Sequence, residues 1–204
     1  MVTAAEEPAA ASGFAAGNPQ ILGLPIFAVG SLALAFSLVG YVPSSAAGVV
    51  VPVIFAATGI GLIISTMWAA ALGQTMVAAV FGLFGGFWLS FSVLLLGLFH
   101  NWFLIPASAD TKSIALFLIS WSIVLAALTL ATVRLPVSYT AVIALVVLAL
   151  VLRTIGVLNA DTSLDKAAGY VAFVFAALGI YLFLHIADTA MGGRGYPLGS
   201  PIVK

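Results

Sequence analysis

From Ala141 to Leu152 every side chain is apolar, and long apolar runs recur six times along the chain. A helix rises about 1.5 Å per residue and the hydrocarbon layer is about 30 Å thick, so about 20 apolar residues cross it once. Strands of a membrane barrel instead alternate apolar and polar side chains over about ten residues, a pattern the unbroken run excludes. Six helical spans use roughly 125 residues, leaving loops and tails from a chain of 204. Charge points the same way. Only 6% of the residues are charged, against roughly 25% in a soluble domain, and the mean hydropathy is +1.29. The sequence therefore predicts an all-α membrane protein, a bundle of six transmembrane helices with the lipid bilayer as its solvent.

The same composition removes several function classes. Six Lys and Arg balance six Asp and Glu, so no basic field draws nucleic acid. Cysteine is absent, which removes disulfides, zinc thiolates and thiol nucleophiles. The two histidines lie in different segments, no span holds paired carboxylates, and no Ser sits in a Gly-x-Ser-x-Gly context. No His, Asp or Glu cluster has metal-ligand spacing. Catalytic residues, a metal and a cofactor are accordingly not expected. A lined path for a solute needs none of them.

Residues 1–20 are rich in Ala, Gly and Pro, carry Glu6 and Glu7, and contain no Lys or Arg. A secretory signal starts with positive charge, so the segment reads as a disordered tail. The six-helix domain then covers residues 21–191, with spans at about Ile21–Tyr41, Val49–Leu72, Met76–Phe99, Ser113–Val133, Val137–Leu158 and Gly169–Met191. The loop from Asn159 to Lys166 carries Asp161 and Asp165, and a Gly/Pro-rich tail covers residues 192–204. Six spans put both termini on one side, together with Arg134, Arg194 and Lys204. Lys112 and Lys166 fall on the other side. The positive-inside rule then gives cytoplasmic termini.

Few polar groups lie within the spans. Arg153 is the clear intramembrane cation. It reads either as an anion attractor at a pore mouth or as a long side chain snorkelling to the near interface. His185 and Asp188 are three residues apart on one helix face. They read as a proton-handling pair or as a hydrated helix end. Gly82 and Gly86 form a small-xxx-small pair, which predicts close helix packing and oligomers through small-residue faces. Phe36, Phe91, Phe173 and Phe175 carry no expectation beyond packing.

Two stretches reach past composition. Asn18-Pro19-Gln20-Ile21-Leu22-Gly23-Leu24-Pro25-Ile26-Phe27 resembles the Asn-Pro-x-Pro-Leu-Gly-Leu-x-x-Phe signature that opens the first span of the acetate uptake transporter family, which includes bacterial succinate–acetate permeases and fungal acetate permeases. Gly73-Gln74-Thr75, followed by Phe84-Gly85-Gly86-Phe87-Trp88-Leu89-Ser90, resembles that family's Gly-Asn-Thr link and the Tyr-Gly-x-Phe-Trp segment of its third span. Four departures stand out: Ile21 replaces the signature's second Pro, Gln74 replaces Asn, Phe84 stands where Tyr is common, and Ala69 where relatives often carry Glu.

The resemblance implies transport of acetate or a similar short carboxylate, including succinate, by a proton-coupled permease or a channel-like pore. It implies a hexamer in a plasma membrane, each protomer with its own pore. It also implies an apolar constriction at Phe27, Phe84 and Val146, the last placed by spacing alone with Leu145 as the alternative. Depth is consistent with this. Phe27 lies about two turns beyond Asn18-Pro19, and Phe84 about two and a half turns beyond Thr75. The Asn18-Pro19 region, at the start of the first span, is expected to offer unpaired N–H groups and a positive dipole end to an anion. Two other readings fit six helices and an apolar pore or core: a channel for small neutral solutes such as amides or urea, and a membrane scaffold that transports nothing.

Overall fold

The computed structural model describes residues 16–204, so the expectation for the first fifteen residues of the tail lies outside the described residues. Six helices are long and apolar enough to cross a membrane: α1 (Gln20–Leu38), α2 (Ser45–Ala71), α3 (Thr75–Phe99), α4 (Asp110–Ala131), α5 (Val137–Asn159) and α6 (Thr162–Ala190). Among the described residues there is no strand, only one isolated bridge between Pro136 and Pro201. The protein is a multi-pass membrane protein built as an all-helical bundle.

The ends of the helices follow from local chemistry. The Gln20 N–H opening α1 donates to the Asn18 side chain at 3.0 Å, so Asn18 uses one of the free donors expected there. Pro25 lies inside α1 and has no N–H to return to the preceding turn. The turn between α2 and α3 needs glycine. Gly73 takes φ +69, its N–H reaches the Ala70 carbonyl at 3.0 Å, and the Gln74 N–H reaches the Ala69 carbonyl at 2.9 Å. This is the Schellman pattern, in which a left-handed residue closes a helix.

Three details differ from the sequence reading. The sixth helix begins at Thr162 rather than Gly169. Asp161 caps it by accepting from the Ser163 N–H at 2.8 Å, and the charge of Asp165 is paired with Arg153, so neither acid interrupts it. The fourth helix begins at Asp110 rather than Ser113, a carboxylate in the first turn complementing the helix dipole. The second span is not one regular helix. It winds tightly over Ser44–Val50, widely with i→i+5 geometry over Val53–Ile60, and as an α-helix over Gly61–Ala71. In the wide stretch Thr58 donates to the Ile26 carbonyl of α1 at 3.3 Å. A Cβ on Gly30 would collide with that Thr58 side chain, so α1 and α2 cross almost in backbone contact.

The bundle packs mainly as α1 on α6, α6 on α5, α5 on α4, and α2 on α3. Gly82 serves this packing: a Cβ there would lie 3.2 Å from Thr66 Cγ2 of α2. Gly86 does not, since its Cβ would meet Trp121 at an ordinary 3.4 Å. Both contacts are made within the single chain. α1, α3 and α5 approach one another little through their backbones, and large side chains fill the space between them.

Candidate functional site

Two rings meet in that space, each near the middle of its helix. Phe27 of α1 and Phe84 of α3 meet edge to face with centroids 5.0 Å apart, both almost fully buried. Phe175 of α6 supports Phe27 from behind at 5.8 Å. Aromatic pairs at this spacing and tilt pack favourably, which holds the rings across the gap.

Cavities lie on both sides of these rings. Toward the end remote from the termini, a cavity of about 150 Å³ is walled by Phe27, Phe84 and Val146 and opens past Ser37, Phe99 and Arg153. On the terminal side a small cavity of about 50 Å³ is walled by the same Phe27 and Phe84 with Val142 and Ile143. It adjoins a third, of about 170 Å³, through the shared walls Leu24, Val80, Phe81 and Tyr139. Gln20 and Met76 line that outer cavity. Phe27 and Phe84 are thus the common walls of spaces that lead toward opposite ends of the bundle.

The cavity beside Arg153 is almost wholly apolar, with three polar side chains in its wall: Ser37, Trp88 and Arg153. Trp88 is buried, and its Nε1 has no hydrogen-bond partner among the described residues. A buried donor without an acceptor is costly, and this N–H is left without one. The Arg153 guanidinium pairs with Asp165 of α6, and both side chains remain partly exposed. On the terminal side the polar handle is neutral: the Tyr139 hydroxyl donates to Gln20 Oε1 at 2.8 Å.

The remaining sequence candidates fall in several places. Val146 lines the cavity and Leu145 does not. Leu24 lines the terminal cavities. Pro19 and Gly23 are buried and Leu22 half-buried, and a Cβ on Gly23 would strike the Phe81 ring. Gly73 and Thr75 form the turn described above. Phe87 stacks with Phe91 at 5.9 Å and meets Trp121 of α4 at 5.6 Å, and it also lines the Arg153-side cavity. Ala69 is fully buried.

His185 and Asp188 lie at the end of α6, outside the three cavities, and both hold the C-terminal tail. The Tyr196 N–H donates to His185 Nδ1 at 2.9 Å, and the Gly195 N–H donates to Asp188 Oδ2 at 2.8 Å. Among the described residues no group of three or more His, Cys, Asp or Glu is placed to hold a metal.

Sequence reasoning missed Phe175 and Phe91, which line the cavity rather than merely pack, and Tyr139 with Gln20, which meet from α5 and α1. It also missed Asp165 as the partner of Arg153. The turn between α5 and α6 is only two residues long, and it folds the first turns of α6 back along α5, where the sequence reads as loop.

The family model for the GPR1/FUN34/yaaH family matches residues 3–192. The chain belongs to that family. This bears out the acetate-transporter resemblance of the Asn18–Phe27 and Phe84–Ser90 stretches. The chain is similar to the acetate transporter protein patA of Aspergillus clavatus, with 26% identity over 192 residues that cover 90% of this chain and 78% of that protein. Similarity to the acetate permease A of Emericella nidulans is 27% over 186 residues, covering 85% of this chain and 62% of the longer relative. In three dimensions the bundle matches the solved structure of the bacterial acetate channel SatP with a TM-score of 0.80 at 22% identity, over 90% of this chain and 99% of that one. The six-helix fold is therefore shared with SatP.

Proposed function

We propose that the protein carries acetate or a similar short monocarboxylate across a membrane, passing between Phe27 and Phe84. The observation that carries this reading is that the two rings are common walls of cavities leading to opposite ends of the bundle. The names of the relatives, an acetate transporter, an acetate permease and an acetate channel, support the substrate class.

The chemistry of the path fits such a solute. A short carboxylate has a methyl end suited to an aromatic neck and a head that needs donors. Arg153 and the Trp88 N–H supply donors on one side of the neck, and Tyr139 and Gln20 supply dipoles on the other. Between the rings no polar group replaces water, and a thin water thread between apolar walls is unfavourable. The neck therefore favours a small solute that sheds its water. Its carboxyl titrates at about 4–5, as Asp and Glu do, and protonation lowers the cost of crossing. Proton-linked movement is part of this proposal on that ground. A hexameric assembly in a plasma membrane, with cytoplasmic termini, belongs to it by resemblance and by the distribution of Arg134, Arg194 and Lys204.

Uptake of labelled acetate into proteoliposomes, with and without an imposed inward proton gradient, tests the reading. Saturable uptake, competed by other short acids and accelerated by the gradient, is expected. Uptake of labelled urea or formamide in preference to acetate would turn the reading toward a neutral-solute channel. No uptake of any solute would turn it toward a scaffold.

A further inference from the structure

Arg153 is the one charged side chain in the walls of the three cavities along the path, and its charge is already matched. Its guanidinium meets the Asp165 carboxylate, which sits on α6 and is not itself a cavity wall. The fold is arranged to keep the two together. Gly156 lies one turn beyond Arg153 on α5, and a Cβ there would meet Asp165 Oδ1 at 2.5 Å and the Asp161 carbonyl at 3.1 Å. Glycine at 156 therefore lets the start of α6 lie against α5 with Asp165 beside Arg153. The side chains are 30% and 24% exposed, so the pair is not sealed inside the bundle, and its Arg153 half also lines the cavity. Lys166 beside Asp165 on α6 is exposed, and Lys112 of α4 is exposed as well.

We infer that Asp165 is a charge-selectivity residue: by neutralising Arg153 it leaves the mouth with guanidinium donors but little net field, which favours monocarboxylates over dicarboxylates. This inference rests on the carboxylate-transport reading above. A hydrogen bond from a guanidinium serves one carboxylate head whatever the rest of the solute carries. The pull of a net positive charge, by contrast, grows with the charge of the solute. A single uncompensated charge about 5 Å away in water-like surroundings raises the occupancy of a monoanion about four-fold and of a dianion about sixteen-fold. Cancelling that charge withholds this extra advantage from the dianion while leaving the donors in place. Exchange of Asp165 for the incoming carboxylate then keeps the guanidinium paired throughout.

The test is competition against labelled acetate uptake in proteoliposomes at low ionic strength, where exposed charges are least screened. Unlabelled acetate and unlabelled succinate are compared as competitors for the wild type, Asp165→Asn and Arg153→Gln. In Asp165→Asn the mouth gains net positive charge, and succinate is expected to improve relative to acetate by about four-fold. In Arg153→Gln the mouth gains net negative charge, and the ratio should move by a similar factor the other way. If one variant does not assemble, the direction of the other decides. An unchanged ratio, or shifts of the same sign in both variants, overturns the inference while leaving acetate transport standing. A wild type that takes up no acetate instead overturns the transport reading on which the inference rests.

Discussion

The cavity beyond Phe27 and Phe84 on the loop side is lined by the Arg153 guanidinium side chain and by Trp88. The cavities on the terminal side have a neutral Tyr139–Gln20 hydrogen bond. One side of the neck can meet an anion with a charged group, and the other only with dipoles. The same two rings wall cavities on both sides, so the path proposed between them is asymmetric in chemistry. On the proposed path an anion that exchanges onto Arg153 leaves charged donors for neutral ones as it crosses between the rings. The direction and charge state of the favoured solute should therefore be set outside the neck, and its size within it.

The largest disturbance of this comparison is Phe84→Ala, which merges the two sides. Truncating a buried Phe costs about 3–5 kcal/mol, so the variant should melt well below the wild type. Protein that does fold should take up butyrate nearly as readily as acetate. An unchanged butyrate-to-acetate ratio at equal membrane expression would remove Phe84 from the neck, and equal loss of both solutes would indicate misfolding. Trp88→Phe acts on the Arg153 side alone. A hydrogen bond to a charged acceptor contributes about 1.5–3 kcal/mol, so half-saturation for acetate should rise by about tenfold or more, with a lower melting temperature from the buried volume lost.

On the terminal side, Gly23→Ala would drive a methyl into the Phe81 ring. Overpacking of this kind costs about 1–3 kcal/mol, visible as a lower melting temperature with Phe81 displaced. A normal melting temperature would show that α1 and α3 have room to separate. The smallest effect belongs to Tyr139→Phe, which removes the hydrogen bond to Gln20 for about 0.5–1.5 kcal/mol. Acetate uptake should fall less than in Trp88→Phe. A larger fall in Tyr139→Phe would reverse the assignment of the charged side as the one that recognises the anion.

Much of the fold was legible because the bilayer leaves few alternatives: an unbroken run such as Ala141–Leu152 can only be a helix. The irregular winding of α2 was not legible, since its wide stretch lies where Thr58 meets Gly30 and Ile26 of α1, a contact between elements remote in sequence. The start of α6 was misplaced because Asp161 and Asp165 look like loop residues until their partners are known. At the site, Phe27 and Phe84 came from the family resemblance, with depth along the two helices consistent with one level, and Val146 was placed by spacing. Phe175, Tyr139 and Gln20 were not found. Their roles come from the packing of α6 on α1 and of α5 near the start of α1, which no local pattern encodes. Asn18 was expected to leave donors free, and instead its own side chain takes one.

The central claim is that solute passes from the Arg153-side cavity between Phe27 and Phe84 to the terminal side. The chain has no cysteine, so Ser37→Cys in the wall of that cavity provides a single reactive site. Labelled acetate uptake by this variant in proteoliposomes should stop when a membrane-impermeant thiol reagent is added on the Arg153 side, and continue when the reagent is added only on the terminal side. Uptake that persists after complete modification of Cys at position 37 would contradict the path.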